Sequence, residues 1–157
     1  MVTNISALLS SPSAPQVVVT QTSEELWVRA DRDQLSGVLW NLVRNASQAG
    51  ESESVEVDVL AQGSDRVLIQ VRDRGKGIEA EHLDNIFEPF YTTRDKGSGL
   101  GLAIVHRVIL DHGGTIDIHS RPSRGTTVRI YLPRVTPPHT HVPSGQRWPA
   151  VKVPKED

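Results

Sequence analysis

Twice along this chain a helical spacing of apolar residues gives way to strict alternation, and that double change of period most restricts the fold. From Leu35 the apolar residues recur at Val38, Leu39, Leu42, Val43 and Ala46, the stripe of an amphipathic helix, with Asp31 as its expected N-cap and Gly50 as its stop. Val55, Val57 and Val59 then alternate with Glu56 and Asp58. After the polar stretch 62–65, Val67, Ile69 and Val71 alternate in turn, which predicts a β-hairpin with one buried face. The second round is a helix over 99–112, with Leu100, Ala103, Ile104, Val108 and Leu110 at helical spacing and Gly113-Gly114 ending it. Ile116 and Ile118, the turn 121–125, then Val128, Ile130 and Leu132 predict a second hairpin, and two β-rich runs, 17–20 and 26–30, precede the first helix. Hairpins and helices that each have one apolar face hide it best against one another. The expected class is α+β, a two-layer α/β sandwich in which one mixed, mainly antiparallel sheet is covered on one face by helices.

Proline sets the limits of that unit. Six of the ten prolines fall between Pro133 and Pro154 and two more are Pro12 and Pro15, leaving only Pro89 and Pro122 inside the patterned stretch. Residues 16–132 are expected to fold, 1–15 to be a flexible N-terminal segment, and 133–157 a Pro-rich flexible tail with too little apolar surface to offset the entropy of ordering it. At 157 residues the chain is one domain's worth of material, without a solenoid-like period. The absence of cysteine excludes a disulfide scaffold, a cysteine zinc site and a thiol nucleophile, and it fits a reducing, cytoplasmic setting. No apolar run approaches the roughly 18 residues that span a bilayer, so no membrane contact is expected. The formal charge of −2, with Lys and Arg scattered among Asp and Glu, offers no basic face for nucleic acid.

Three polar motifs interrupt the apolar pattern. Asn41 and Asn45, one turn apart on the first helix, form either a polar shoulder or a pair of amide oxygens for a hard cation that keeps most of its waters, such as Mg²⁺. Asp73-Arg74-Gly75-Lys76-Gly77-Ile78 follows a strand directly. It is either a plain turn or a place where backbone approaches a ligand closely and a carboxylate accepts a hydrogen bond from an exocyclic amine. Gly97-Ser98-Gly99-Leu100-Gly101-Leu102 opens the second helix and offers bare backbone amides at a helix N-terminus, an anion site. It lacks the Lys-Ser/Thr of a Walker loop and the βαβ setting of a dinucleotide fold. Just upstream, Arg94 and Lys96 are either solvated loop charges or cations able to swing over phosphates.

The order of these elements carries more than any one of them. Asn41-Leu-Val-Arg-Asn45-Ala, Asp73-x-Gly75-x-Gly77-Ile78, Ile86-Phe87-Glu88-Pro89-Phe90 and Gly97-Ser98-Gly99-Leu100-Gly101-Leu102 resemble, in order and spacing, the N, G1, F and G2 boxes of the catalytic ATP-binding (GHKL-type) domain of bacterial sensor histidine kinases. The Phe-Tyr-Thr-Thr-Arg stretch is most similar to the nitrogen-regulation subtype. The resemblance spans about residues 31–132 and implies the Bergerat ATP-binding sandwich shared with DNA gyrase and MutL. It further implies that Asp73 bonds the adenine amine, that Gly75, Gly77 and Ile78 shape the base pocket, and that Asn45, helped by Asn41, holds Mg²⁺. Gly97, Ser98, Gly99, Leu100, Gly101 and Leu102 would lie beside the phosphates of ATP, and Arg94 and Lys96 would neutralise them from a mobile lid. Phe87 and Phe90 would anchor that lid or simply fill core.

ATPases of this fold place a water-activating glutamate four residues before the metal-binding asparagine; here that place holds Asn41, whose amide cannot take the proton. Slow hydrolysis and transfer of the γ-phosphoryl group to an outside nucleophile are therefore expected. No histidine precedes His82, and His106 and His112 match structural positions, so the resemblance implies that the acceptor histidine belongs to a separate dimerisation and phosphotransfer domain of a larger kinase, of a family that includes membrane-anchored members. A response regulator receiver domain would act downstream. The alternatives are a stand-alone serine kinase of the anti-sigma-factor type and a non-catalytic module of the same fold.

Overall fold

The computed structural model describes residues 2–4, 17–21, 25–50, 55–93 and 97–137. Arg94, Lys96 and the tail from residue 138 onward lie outside the described residues. In chain order the elements are β1 (Val2–Asn4), β2 (Val17–Gln21), β3 (Trp27–Arg29), α1 (Arg32–Ala49), β4 (Val55–Gln62), β5 (Arg66–Arg72), α2 (Ala80–Leu83), α3 (Gly101–Asp111), β6 (Thr115–Ser120) and β7 (Thr126–Pro133).

Five strands form one sheet in the order β2-β4-β5-β7-β6. The pairs β4–β5, β5–β7 and β6–β7 are antiparallel, while β2 runs parallel to β4. A parallel neighbour needs a long crossover, and α1 lies in the chain between those two strands. Alternation along the strands puts Val55, Val57, Val59, Val67, Ile69, Val71, Val128, Ile130 and Leu132 on the helix-covered side, all buried. The other face sets polar groups beside Leu60, Leu68 and Tyr131: Gln70 donates to Asp58 (3.1 Å) and accepts from Arg129 Nε (3.0 Å), while Glu56 bonds both Arg72 and, from the following loop, Arg74.

α1 starts as expected. Asp31 Oδ1 accepts the amides of Asp33 and Gln34, both at 3.0 Å, and the six apolar residues of the stripe from Leu35 to Ala46 are buried. α3 differs from expectation in the face it buries. Val105 and Ile109 are fully buried, with Leu102 and Val108 packed against the core, whereas Ile104 and Leu110 are 50% and 49% exposed. Seven of its eleven residues are apolar, so spacing alone does not single out a stripe; packing against α1 and β6 does. The helix ends in a Schellman turn, with Gly113 N donating to Leu110 O, Gly114 N to Ile109 O, and Gly113 at φ 69°.

The limits of the folded unit also shift. Val2–Asn4, expected within a flexible lead, is a strand antiparallel to β3, a pairing made by backbone and therefore silent in side-chain patterning. Pro133 closes β7, Arg134 bridges Val28, and Val135 N donates to Trp27 O at 2.9 Å, so the chain stays in the fold past the expected boundary at 132. His112 joins two elements as a structural residue. Its Nε2 accepts the Asp31 amide at 3.0 Å, which leaves Nδ1 to donate to Val108 O at 2.7 Å.

Candidate functional site

Between α1, α3, the inner sheet face and residues 73–79, 91–93 and 97–99 lies a cleft of about 790 Å³. Its floor is apolar, with Leu42 and Ala46 of α1, Val71, Ile118 and Val128 of the sheet, and Ile86.

One end is built around Asp73, the residue after β5. Its backbone amide donates to Thr126 O (2.9 Å), its Oδ1 accepts from the Gly75 amide (2.8 Å), and it is only 9% exposed. The loop it starts is clamped from both sides. Lys76 N donates to Ala49 O at the end of α1 (2.9 Å), Ser123 N donates to Lys76 O (2.7 Å), and Ile78 N donates to Ser120 Oγ (2.8 Å). Gly77 and Ile78 line the cleft. Gly75 does not; a Cβ there would lie 2.3 Å from Ala49 O, so it is glycine because the loop is pressed against the helix end.

The opposite end is the start of α3. Gly97, Ser98, Gly99, Gly101 and Leu102 line the cleft, and Leu100, the N-cap, does not. No side chain caps this helix and its first turn carries no acid, so its orphan amides and positive dipole end stand beside the cavity. Gly99 has φ 68°, and its carbonyl accepts the amide of Phe90 at 3.0 Å; a Cβ would come within 2.4 Å of the Phe90 carbonyl carbon. That contact joins the two ends of the loop 91–98. Phe90 itself is 75% exposed at φ 68°, and Phe87 stacks on His106 with centroids 4.7 Å apart, so neither phenylalanine is plain core.

Asn45 of α1 lines the cleft between these ends. Asn41 does not: its Nδ2 donates to Gly37 O (3.1 Å) and its Oδ1 accepts from Arg44 Nη2 (3.2 Å), beside Gly101. Among the cleft residues that the sequence did not single out for this place are Arg44 and the pair His82 and Tyr91, hydrogen-bonded at 2.6 Å. Arg44 carries a signal of its own, standing between the two asparagines on the helix. The His82–Tyr91 contact joins α2 to the loop and has none.

The residues 30–136 match the family model of histidine kinase-, DNA gyrase B- and HSP90-like ATPases. The chain belongs to this family. It is 46% identical over 107 residues to the sensor histidine kinase ZraS of Escherichia coli (strain K12), covering 68% of this chain and 23% of that one. It is 37% identical over 129 residues to the nitrogen regulation protein NtrY of Azorhizobium caulinodans, covering 75% of this chain and 16% of NtrY. It thus spans less than a quarter of the length of these relatives. Among solved structures, the mycobacterial sensor histidine kinase MprB superposes with a TM-score of 0.74 at 26% identity, over 85% of this chain and 97% of that one. Full-length ShkA in complex with AMPPNP superposes with a TM-score of 0.70 at 30% identity, over 78% of this chain and 26% of that one. The superposition with MprB, a sensor histidine kinase, extends to the fold built on this mixed five-stranded sheet, and this domain is of the ATPase type.

Proposed function

We propose that the cleft binds Mg-ATP and that the domain passes the γ-phosphoryl group to a histidine on a separate dimerisation and phosphoacceptor domain, in two-component signalling with a response regulator receiver downstream. One arrangement carries this reading: a buried carboxylate at one end of an apolar cleft and an uncapped, acid-free helix N-terminus at the other, with an asparagine between. Asp73 suits the amine of adenine. Gly99 and Gly101 leave the amides of α3 open to phosphate oxygens.

Among the described residues no group of three or more His, Asp or Glu side chains could hold a metal ion alone. That donor set fits Mg²⁺ arriving with the nucleotide, held through Asn45 Oδ1, phosphate oxygens and water, with Asn41 as the neighbouring amide. Bound there, Mg²⁺ would neutralise charge on the β- and γ-phosphates. Arg94 and Lys96 add cations from the loop in this reading, and Asn41, unable to take a proton from water, keeps hydrolysis slow. In this reading the domain works in the cytoplasm, where ATP is available.

The test mixes the chain with γ-labelled ATP, Mg²⁺ and the purified dimerisation hairpin of a related kinase. Acid-labile label on the hairpin histidine is the expected result. Label on a serine of a small partner protein would point to the anti-sigma-type reaction, and no nucleotide binding at all would refute the reading.

A further inference from the structure

We infer that Arg44 is a specificity-determining residue of this site, a cation that contacts the terminal phosphate and so separates nucleoside triphosphates from diphosphates; the inference rests on the nucleotide reading above. The argument begins with order along α1. Ala49 O meets the loop that carries Asp73, Asn45 stands a turn further toward the helix N-terminus, and Asn41 a turn beyond that. Eight residues of helix span about 12 Å. A nucleotide with its base at Asp73 and its phosphates toward the start of α3 therefore has its last phosphate nearest Asn41 and Gly101.

Arg44 points at that place. Side chains on a helix lean toward its N-terminus, and the guanidinium has reached back one turn, with Nη2 3.2 Å from Asn41 Oδ1 and 3.9 Å from where a Cβ on Gly101 would stand. The side chain lines the cleft and remains exposed. Among the described residues the ion pairs involve Arg72, Arg74, Arg107 and two histidines, and none involves Arg44. Its hydrogen bond is to a neutral amide at the long end of the range, whereas a phosphate presents charged oxygens at the spacing of a guanidinium fork. Moving from one to the other needs only rotation of an exposed side chain. The move would also release Asn41 Oδ1 toward the phosphate end.

Titration of the chain with ATP and with ADP, each with Mg²⁺, tests this. Arg44→Gln can still donate to Asn41 Oδ1 but carries no charge, and Arg44→Lys keeps the charge without the fork. Arg44→Gln should weaken ATP at least about tenfold, the loss expected of a charged hydrogen bond, while ADP changes less than about twofold. Arg44→Lys should fall between Gln and the wild type. Equal losses on both nucleotides, or none on either, would overturn the inference while leaving the nucleotide site standing. A wild-type chain that binds neither nucleotide would overturn the site itself, and the inference with it.

Discussion

Asp73→Asn replaces one carboxylate oxygen by an NH₂ group and should change which purine the cleft accepts. The carboxylate is 9% exposed and fixed by the loop it begins: Oδ1 takes the Gly75 amide at 2.8 Å, and the backbone amide is held by Thr126 O at 2.9 Å. An asparagine must keep its carbonyl oxygen on Gly75, since that amide has to have an acceptor, so the new NH₂ falls where the second carboxylate oxygen was. A donor there cannot accept from the 6-amino group of adenine. The loss is a hydrogen bond to a charged group, about 1.5–3 kcal/mol, or roughly 10- to 150-fold in affinity, with the mismatch of two facing donors on top. The same NH₂ can donate to the 6-oxo group of hypoxanthine, so inosine triphosphate should gain on ATP by a comparable factor. Because Gly75 stays bonded, the variant should still fold, and its melting curve checks that any change in affinity is read on a folded chain. Competition titrations of ATP and inosine triphosphate against a fluorescent nucleotide measure both numbers. Unchanged ATP affinity with the fold intact would refute the assignment of Asp73 to the base, and equal loss of both nucleotides would reduce it to a support for the loop.

Three further substitutions separate packing from ligand contact. Ile109→Ala should cost about 2–5 kcal/mol and Ile104→Ala no more than about 0.5 kcal/mol, read from urea midpoints at constant slope, because the first is fully buried and the second 50% exposed; equal costs would mean that α3 buries another face. Gly99→Ala puts a Cβ 2.4 Å from Phe90 in a backbone at φ 68°, so the contact between the ends of the loop 91–98 should open. ATP affinity should then fall about tenfold or more while chain stability drops by only about 1–3 kcal/mol, and an unaffected nucleotide titration would show that this contact is not needed for binding.

What was legible in the sequence was what the chain encodes locally. The stripe of α1 is legible because polar residues flank it along the helix, with Trp40 the apolar exception at 51% exposed, and the six residues predicted from it are the six that are buried. α3 is apolar on several sides, so its inward face is decided by α1 and β6, which no window of α3 contains. The mixed sheet was legible too, since a helix between two strands of one sheet permits them to be parallel. The pairing of Val2–Asn4 with β3 rests on main-chain groups, which every residue carries alike. Likewise, neither the Arg44–Asn41 bond nor the His82–Tyr91 bond has a sequence signal, because each depends on the rotamer chosen once the elements have met.

The spacing at Gly75 left open a plain turn or the close approach of a ligand, and what approaches it within the fold is the carbonyl of Ala49, with the next residue's amide bonded to that same oxygen. The loop that presents Asp73 is thereby fastened to the last turn of the helix that presents Asn45. Two motifs 28 residues apart in the chain are held at one separation by a single carbonyl. If the base lies at Asp73 and the metal at Asn45, that carbonyl sets the distance between them, and a glycine is required at 75 because any side chain would push the Asp73 loop away from the helix that carries Asn45.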